Sequence, residues 1–237
     1  MFTSVQQLMG FQMSSKDGAV GEVHDFFFEP SSWAVRYLVV ETGGWWPGKR
    51  VLISPAAIRS VDFEHGLLPV ALSQAQIRCA PSTEAHPAVS RRHEARLAEH
   101  YNWPRYWDRE TFQDWTPLTT IAMAEASGRP TPSGAAGVLR SAREVTGFRI
   151  HAADGGIGHL DDFVFGDTDW LIRYLVVDTR NWLPGRRVLV APQWITRLDW
   201  EHRAIWLNMT RQGIRHAHPF EPGLLREGLF ELLETGR

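Results

Sequence analysis

The chain has 237 residues with 25 Lys and Arg against 27 Asp and Glu, a formal net charge of −2, so no broad field draws it toward nucleic acid or anionic lipid. Cys79 is the sole cysteine, which excludes an intrachain disulfide and a thiolate zinc cluster, and no run approaches the roughly 18 apolar residues of a membrane span. The opening MFTSVQQLMGFQMSSKDG lacks the basic segment, apolar run and cleavage site of a secretion signal, so a cytoplasmic protein is expected.

The dominant feature is an internal repeat. RYLVVETGGWWPGKRVLISP begins at Arg36, and RYLVVDTRNWLPGRRVLVAP begins at Arg173. Adding 137 to a residue number finds its counterpart without a gap from Ser4 and Ser141 through Arg78 and Arg215. Between Gly10 and His65 the copies agree at 26 of 56 positions, too many for chance, and a repeat of this length is a domain-sized unit with its own core.

In chain order, SVQQL and SAREV predict single helical turns capped by serine. KDG at Lys16 and ADGG at Ala153 predict hairpin connections in which glycine accepts a positive φ. VGEVHDFFFEP sets apolar residues at Val20, Val23, Phe26 and Phe28, with a change of phase near Val23 that predicts a bend or bulge. Strands follow at Val35 to Thr42, Arg50 to Ile53, around Ile58 to Phe63 and at Leu67 to Leu72, each with its copy. LSQAQIR places Ser73 three residues before Gln76, a capping-box spacing. Short strands with little helix between them predict a mainly β fold of two small barrels or sandwiches in tandem, with helices at the margins.

The register of the copies then slips. AHPAVSRRHEARLAEHY starts at Ala85 and AHPFEPGLLREGLFELLET at Ala217, and both read as amphipathic helices, with His86 and His218 at their entries. NWPRYWDRETFQDW offers Trp103, Tyr106, Trp107 and Trp115 as contacts, and the Ala, Gly, Pro, Ser and Thr that follow read as a linker. The expected organisation is a first domain over 1–82, a helix and aromatic segment over 83–118, a flexible linker over 119–140, a second domain over 141–217 and a C-terminal helix over 218–237.

Two readings apply to Trp45, Pro47, Gly48 and Arg50, repeated as Trp182, Pro184, Gly185 and Arg187. The structural one is a wide connection between strands in which Gly48 and Gly185 permit the turn. The functional one is a protein-docking surface of Trp45, Trp46, Arg50, Trp182, Leu183 and Arg187, joined by Trp103 and Trp107, since Trp and Arg dominate binding contacts. Arg36 and Arg173, at strand starts, are candidates to pair with Glu41 and Asp178.

DFEH from Asp62 recurs as DWEH from Asp199, making Asp62, His65, Asp199 and His202 weak metal candidates. On a strand Asp62 and Glu64 point one way and His65 the other, so these groups converge only if the chain turns. A solvated strand-turn-strand edge is the plainer reading. Asp17, Gly18 and Gly21, with Asp154, Gly155 and Gly158, read as turn or bend residues within strand and hairpin sequence and not as a phosphate loop. Asp25 and Asp162 read as acceptors of backbone hydrogen bonds at the bend. Because Asp161 stands where the first copy has His24, that histidine is a poor basis for a shared metal site. No cofactor and no catalytic residue is expected.

GFQMSSKDGAVGEVHDFFFE, WAVRYLVVETG and KRVLISP, with their copies GFRIHAADGGIGHLDDFVFG, WLIRYLVVDTR and RRVLVAP, resemble the PRC-barrel family. That family is named for the cytoplasmic barrel of the photosynthetic reaction-centre H subunit and includes the carboxy-terminal domain of a ribosome-maturation factor. The resemblance covers roughly residues 4 to 80 and 141 to 217. It implies two small PRC-type β-barrels used in protein or ribonucleoprotein assembly, with no catalytic residue to carry over. The expected function is a non-enzymatic adaptor or scaffold with a protein partner or a second copy in a homodimer. The alternatives are a small-ligand or metal sensor and, more weakly, an RNA-associated factor, although direct nucleic-acid binding is not expected.

Overall fold

The computed structural model describes residues 1–43, 49–81, 88–107, 138–179 and 186–225. In chain order the elements are β1 (Phe2–Ser4), α1 (Val5–Leu8), β2 (Gln12–Ser15), β3 (Gly18–Glu29), β4 (Ala34–Thr42), β5 (Arg50–Ile53), β6 (Leu67–Pro69), α2 (Gln74–Arg78), β7 (Ala88–Ser90) and α3 (Arg91–Tyr101). After them come β8 (Val138–Ser141), α4 (Ala142–Val145), β9 (Arg149–Ala152), β10 (Gly155–Gly166), β11 (Ile172–Asp178), β12 (Arg187–Val190), β13 (Ile195–Asp199), β14 (Ala204–Leu207) and α5 (Arg211–Arg215). Among the described residues the protein is mainly β, with two sheets. Among the described residues no helix is long and apolar enough to cross a membrane.

The described residues divide into two compact units, one of 8–107 with 138–141 and the other of 1–7 with 142–225. In the first the strand order is β5-β4-β3-β2-β6, with β8 beside both β3 and β7; in the second it is β12-β11-β10-β9-β14-β13, with β1 beside β10. Both ladders are open at their ends among the described residues.

Each sheet is organised by its longest strand. β3 and β10 have 12 residues each, and their partner changes along the length. The first part of β3 pairs with β2, its end pairs with β8, and β4 runs along the opposite edge. Register slips between Val23 and Asp25, and in β10 between Leu160 and Asp162. This is the bend that the change of phase predicts. It turns Val20, Val23, Phe26 and Phe28 into the core, where all four are buried.

Two glycines hold this packing. A Cβ added to Gly21 would lie 2.0 Å from the Glu41 carbonyl oxygen, and one added to Gly158 would lie 1.9 Å from that of Asp178. No side chain fits there without moving β4 or β11, so both copies keep glycine.

The leading strands are exchanged between the repeats. β1, at the start of the first repeat, pairs with β10 of the second, with Phe2, Thr3 and Ser4 opposite Gly166, Phe165 and Val164. β8, at the start of the second, pairs with β3 of the first, with Ser141 opposite Phe27 and Arg140 opposite Phe28. Residues 138–140, expected to belong to a flexible linker, are thus strand; 119–137 lie outside the described residues.

The margins are helical as expected. Ser73 and Gln76 form the capping box of α2, and the Thr210 hydroxyl accepts the Gly213 N–H at the start of α5. α3 begins at Arg91, after the short strand β7, and buries Leu97, Ala98 and Tyr101. At the carboxy end the described part is a 3-10 turn over Pro222–Leu225, and the rest of the expected helix lies outside the described residues. His218 is not a helix entry: its carbonyl accepts the Leu189 N–H, so the chain there adds to the edge of β12.

Candidate functional site

The most constructed feature in each unit is the slot beside the bulge. The extra residue of the bulge brings the side chain of Asp25 or Asp162 back toward its own strand. The Asp25 Oδ1 accepts the Phe26 N–H at 2.7 Å, and its Oδ2 accepts the Ser141 hydroxyl at 2.5 Å. The Asp162 Oδ1 accepts the Phe163 N–H at 2.8 Å and the Gln6 N–H at 3.1 Å, and the carboxylate also bonds the Ser4 hydroxyl. Both aspartates are buried. Burial pushes the Asp162 carboxyl up to about 6, against the bonds from Ser4, Phe163 and Gln6 that favour its charged form. Each buried carboxylate therefore recognises a serine on the exchanged strand. The sequence contains the signal, since Ser4 and Ser141 are counterparts, but only the exchange joins each to the other copy's aspartate.

The other retained aspartates close turns. Asp17, in the hairpin with Gly18 at φ 148°, accepts the Gln74 N–H at 2.7 Å; Asp154, beside Gly155 at φ 134°, accepts the Arg211 N–H at 2.7 Å. Each hairpin is thereby pinned to the first turn of α2 or α5. The Gln74 N–H and the Ser15 hydroxyl hold Asp17 below the usual carboxylate range. Asp62 and Asp199 are not followed by alternating strand. Residues 63–66 form a turn, so Asp62 accepts the N–H groups of Glu64 and His65 and faces the His65 ring at 2.9 Å. Asp199 likewise accepts the His202 N–H at 2.9 Å and faces its ring at 3.1 Å. The backbone bond from His65 or His202 comes first in depressing each carboxyl.

The arginines differ from expectation. Arg36 pairs with Glu29 at 2.6 Å and Arg173 with Asp169 at 2.5 Å, not with Glu41 and Asp178. Both partners lie in the turn that follows the long strand or at its end, nearer in the hairpin than the residues considered from sequence. Arg50 instead reaches Glu41 at 3.6 Å, and Arg187 reaches Asp161 at 3.1 Å. Trp45, Trp46, Gly48, Trp182, Leu183 and Gly185 lie outside the described residues.

Three groups that could hold a metal approach one another at the second bulge. His159, Asp161 and Asp178 bring ligand atoms within 4.8 Å of one another, with His159 directly opposite Asp178 in the ladder. Comparing His24 with Asp161 one to one hides this trio. The counterpart positions hold Glu22, His24 and Glu41, so each copy has one histidine and two carboxylates there.

Trp103 and Trp107 belong to a separate arrangement in the first unit. Trp103 stacks on Tyr101 at 4.2 Å. Tyr106 donates to Glu94 at 2.5 Å and accepts from Arg91 at 2.7 Å, while Arg91 lies 4.6 Å from the Trp107 ring and Arg36 lies 3.9 Å from the Tyr106 ring. Glu29 receives Arg36 and Arg91. Glu94 is fully buried on α3, and burial pushes its carboxyl up to about 7 despite Tyr106 and Arg91. The charged run of α3 gives no sign of a buried carboxylate.

No family model matches the chain, and no curated protein matches it. The retained polar groups are engaged in building turns, caps and strand slots. The aspartates among them accept backbone N–H and hydroxyl groups, and the arginines pair with carboxylates.

Proposed function

We propose that this chain is a non-enzymatic, cytoplasmic protein-interaction and assembly protein built from two tandem PRC-type β-barrels. The observation that carries the reading is the exchange of leading strands: each sheet binds a strand that arrives from a distant part of the chain, recognised through main-chain bonds and one buried aspartate. Strand addition to a sheet edge is a common route to protein association. The retained aspartates at 17, 62, 154 and 199 support it, since each is spent on turn geometry. The partner is another protein or a second copy, met by Arg50, Arg187 and the tryptophans of the two β4-to-β5-type connections.

Sedimentation across a wide concentration range, combined with cross-linking of the native protein, tests this. Concentration-dependent association or a stoichiometric protein partner, weakened in a Trp45→Ala and Trp182→Ala double variant, is expected. A monomer at every concentration without a stoichiometric partner contradicts it. The trio at His159, Asp161 and Asp178 favours a second reading, a metal-binding sensor. Arg187 already balances Asp161 in that trio. Elemental analysis and thermal shift with zinc distinguish the readings, and unchanged melting with no bound metal removes the second.

A further inference from the structure

We infer that the strand slot beside β10 is a peptide-binding site that takes the leading strand of a second copy of this chain, selected by the serine that meets Asp162. The inference rests on the assembly reading above and names its partner.

The slot is defined by three features. The end of β10, from Val164 to Gly166, offers main-chain groups to a short antiparallel strand. Asp162, buried at the bulge, takes the serine hydroxyl and the Gln6 N–H. Beside them Phe2 meets Tyr174 edge-on at 6.5 Å and covers a cluster of Val164, Val176, Leu189, Phe220 and Leu225. A strand is thus read by an apolar residue, an extended middle residue and a serine. The first unit repeats the device with Asp25 and Ser141, so the recognition belongs to the slot and not to one accidental contact.

The occupant follows from identity and from reach. The matching segment in a second copy makes the same contacts as the chain's own, so the balance between them depends on concentration alone. The chain's own segment competes at an effective concentration on the order of millimolar. The registered contact is three residues long, and release of the strand also breaks the Asp167 N–H bond to the Met1 carbonyl, the pair of the Met1 ammonium with Asp167 and the Gln6 bonds to Asp161 and Asp162. Exchange of an identical element between two copies is the low-cost route to a closed two-fold dimer.

The test uses the full-length Ser4→Ala variant, whose own strand lacks the hydroxyl, and a fluorescent peptide of residues 1–8, MFTSVQQL. The peptide should bind this variant about fivefold more tightly than it binds the wild-type chain, whose slot is filled, and an otherwise identical peptide with alanine at the serine should bind the variant about fivefold more weakly than the serine peptide. Equal binding of the serine, alanine and scrambled peptides overturns the inference. In a second arm, two differently tagged wild-type chains are unfolded and refolded together. Mixed-tag dimers are expected near about 1 mM and not near about 10 μM; their absence at both concentrations overturns the choice of a second copy. Peptide binding without any association of the native protein would leave the slot standing and refute the assembly reading.

Discussion

Gly21 and Gly158 show how far a single residue reaches. Their positions were visible as retained glycines, but the reason was not, because the obstructing carbonyls of Glu41 and Asp178 belong to the neighbouring strand. Gly21→Ala or Gly158→Ala should cost about 3 kcal/mol in urea unfolding, whereas Gly43→Ala, which meets open space, should stay within about 0.5 kcal/mol. Comparable midpoints would refute the close-approach account. Asp162 supplies a second residue-scale prediction. Its raised folded value means that the folded state holds an extra proton between about pH 4 and about pH 6, so its contribution to stability is present below that window and lost as the pH rises through it. Across this range the wild type should lose about 2–3 kcal/mol relative to Asp162→Asn; parallel pH profiles would show that the carboxyl is not held in this way. Trp33 and Trp170 were legible as retained but not as left-handed, with φ of 59° and 55°. Each is held in that conformation by a bond to the long strand's last carbonyl and by stacking on Phe28 or Phe165.

Among the elements, most strands were legible, since alternation and turn residues depend only on local spacing, but the one expected around Ile58 to Phe63 is in the first unit only a pair of isolated bridges at Ile58 and Asp62, whereas its copy is β13. α3 was legible as an amphipathic helix, but Glu94 was not legible as one of its buried residues, because Tyr106, which donates to it beside Arg91, comes from outside the helix. Tyr106→Phe removes the hydroxyl from both Glu94 and Arg91 and should cost about 1–3 kcal/mol, read as faster proteolysis of the 103–107 segment. Unchanged cleavage would refute the network's role. Glu94 sits among Arg91 of its own helix, Glu29 of β3, Arg36 and Tyr37 of β4, and Tyr106. Its raised value places the loss of stability between about pH 4.5 and about pH 7 as the pH rises, a trend that Glu94→Gln should flatten in the same proteolysis assay.

The whole molecule contains what sequence reading did not supply. The duplication and the mainly β fold follow from a repeat with strand periodicity, yet the exchange of leading strands is invisible in it. FTS is too short for alternation, and VLRS follows a stretch with linker composition, so nothing local says which sheet either segment joins. The boundary expected between a first domain over 1–82 and a second over 141–217 therefore cuts through the pairing, with 1–7 in the unit of the second repeat and 138–141 in that of the first. Hydrogen exchange of the chain lacking residues 1–4 tests this most directly. Protection should fall in β10 and β11, more than 150 residues away, while β3 and β4 keep theirs. Loss of protection confined to β3 and β4, with β10 and β11 unchanged, would contradict the strand exchange on which the account stands.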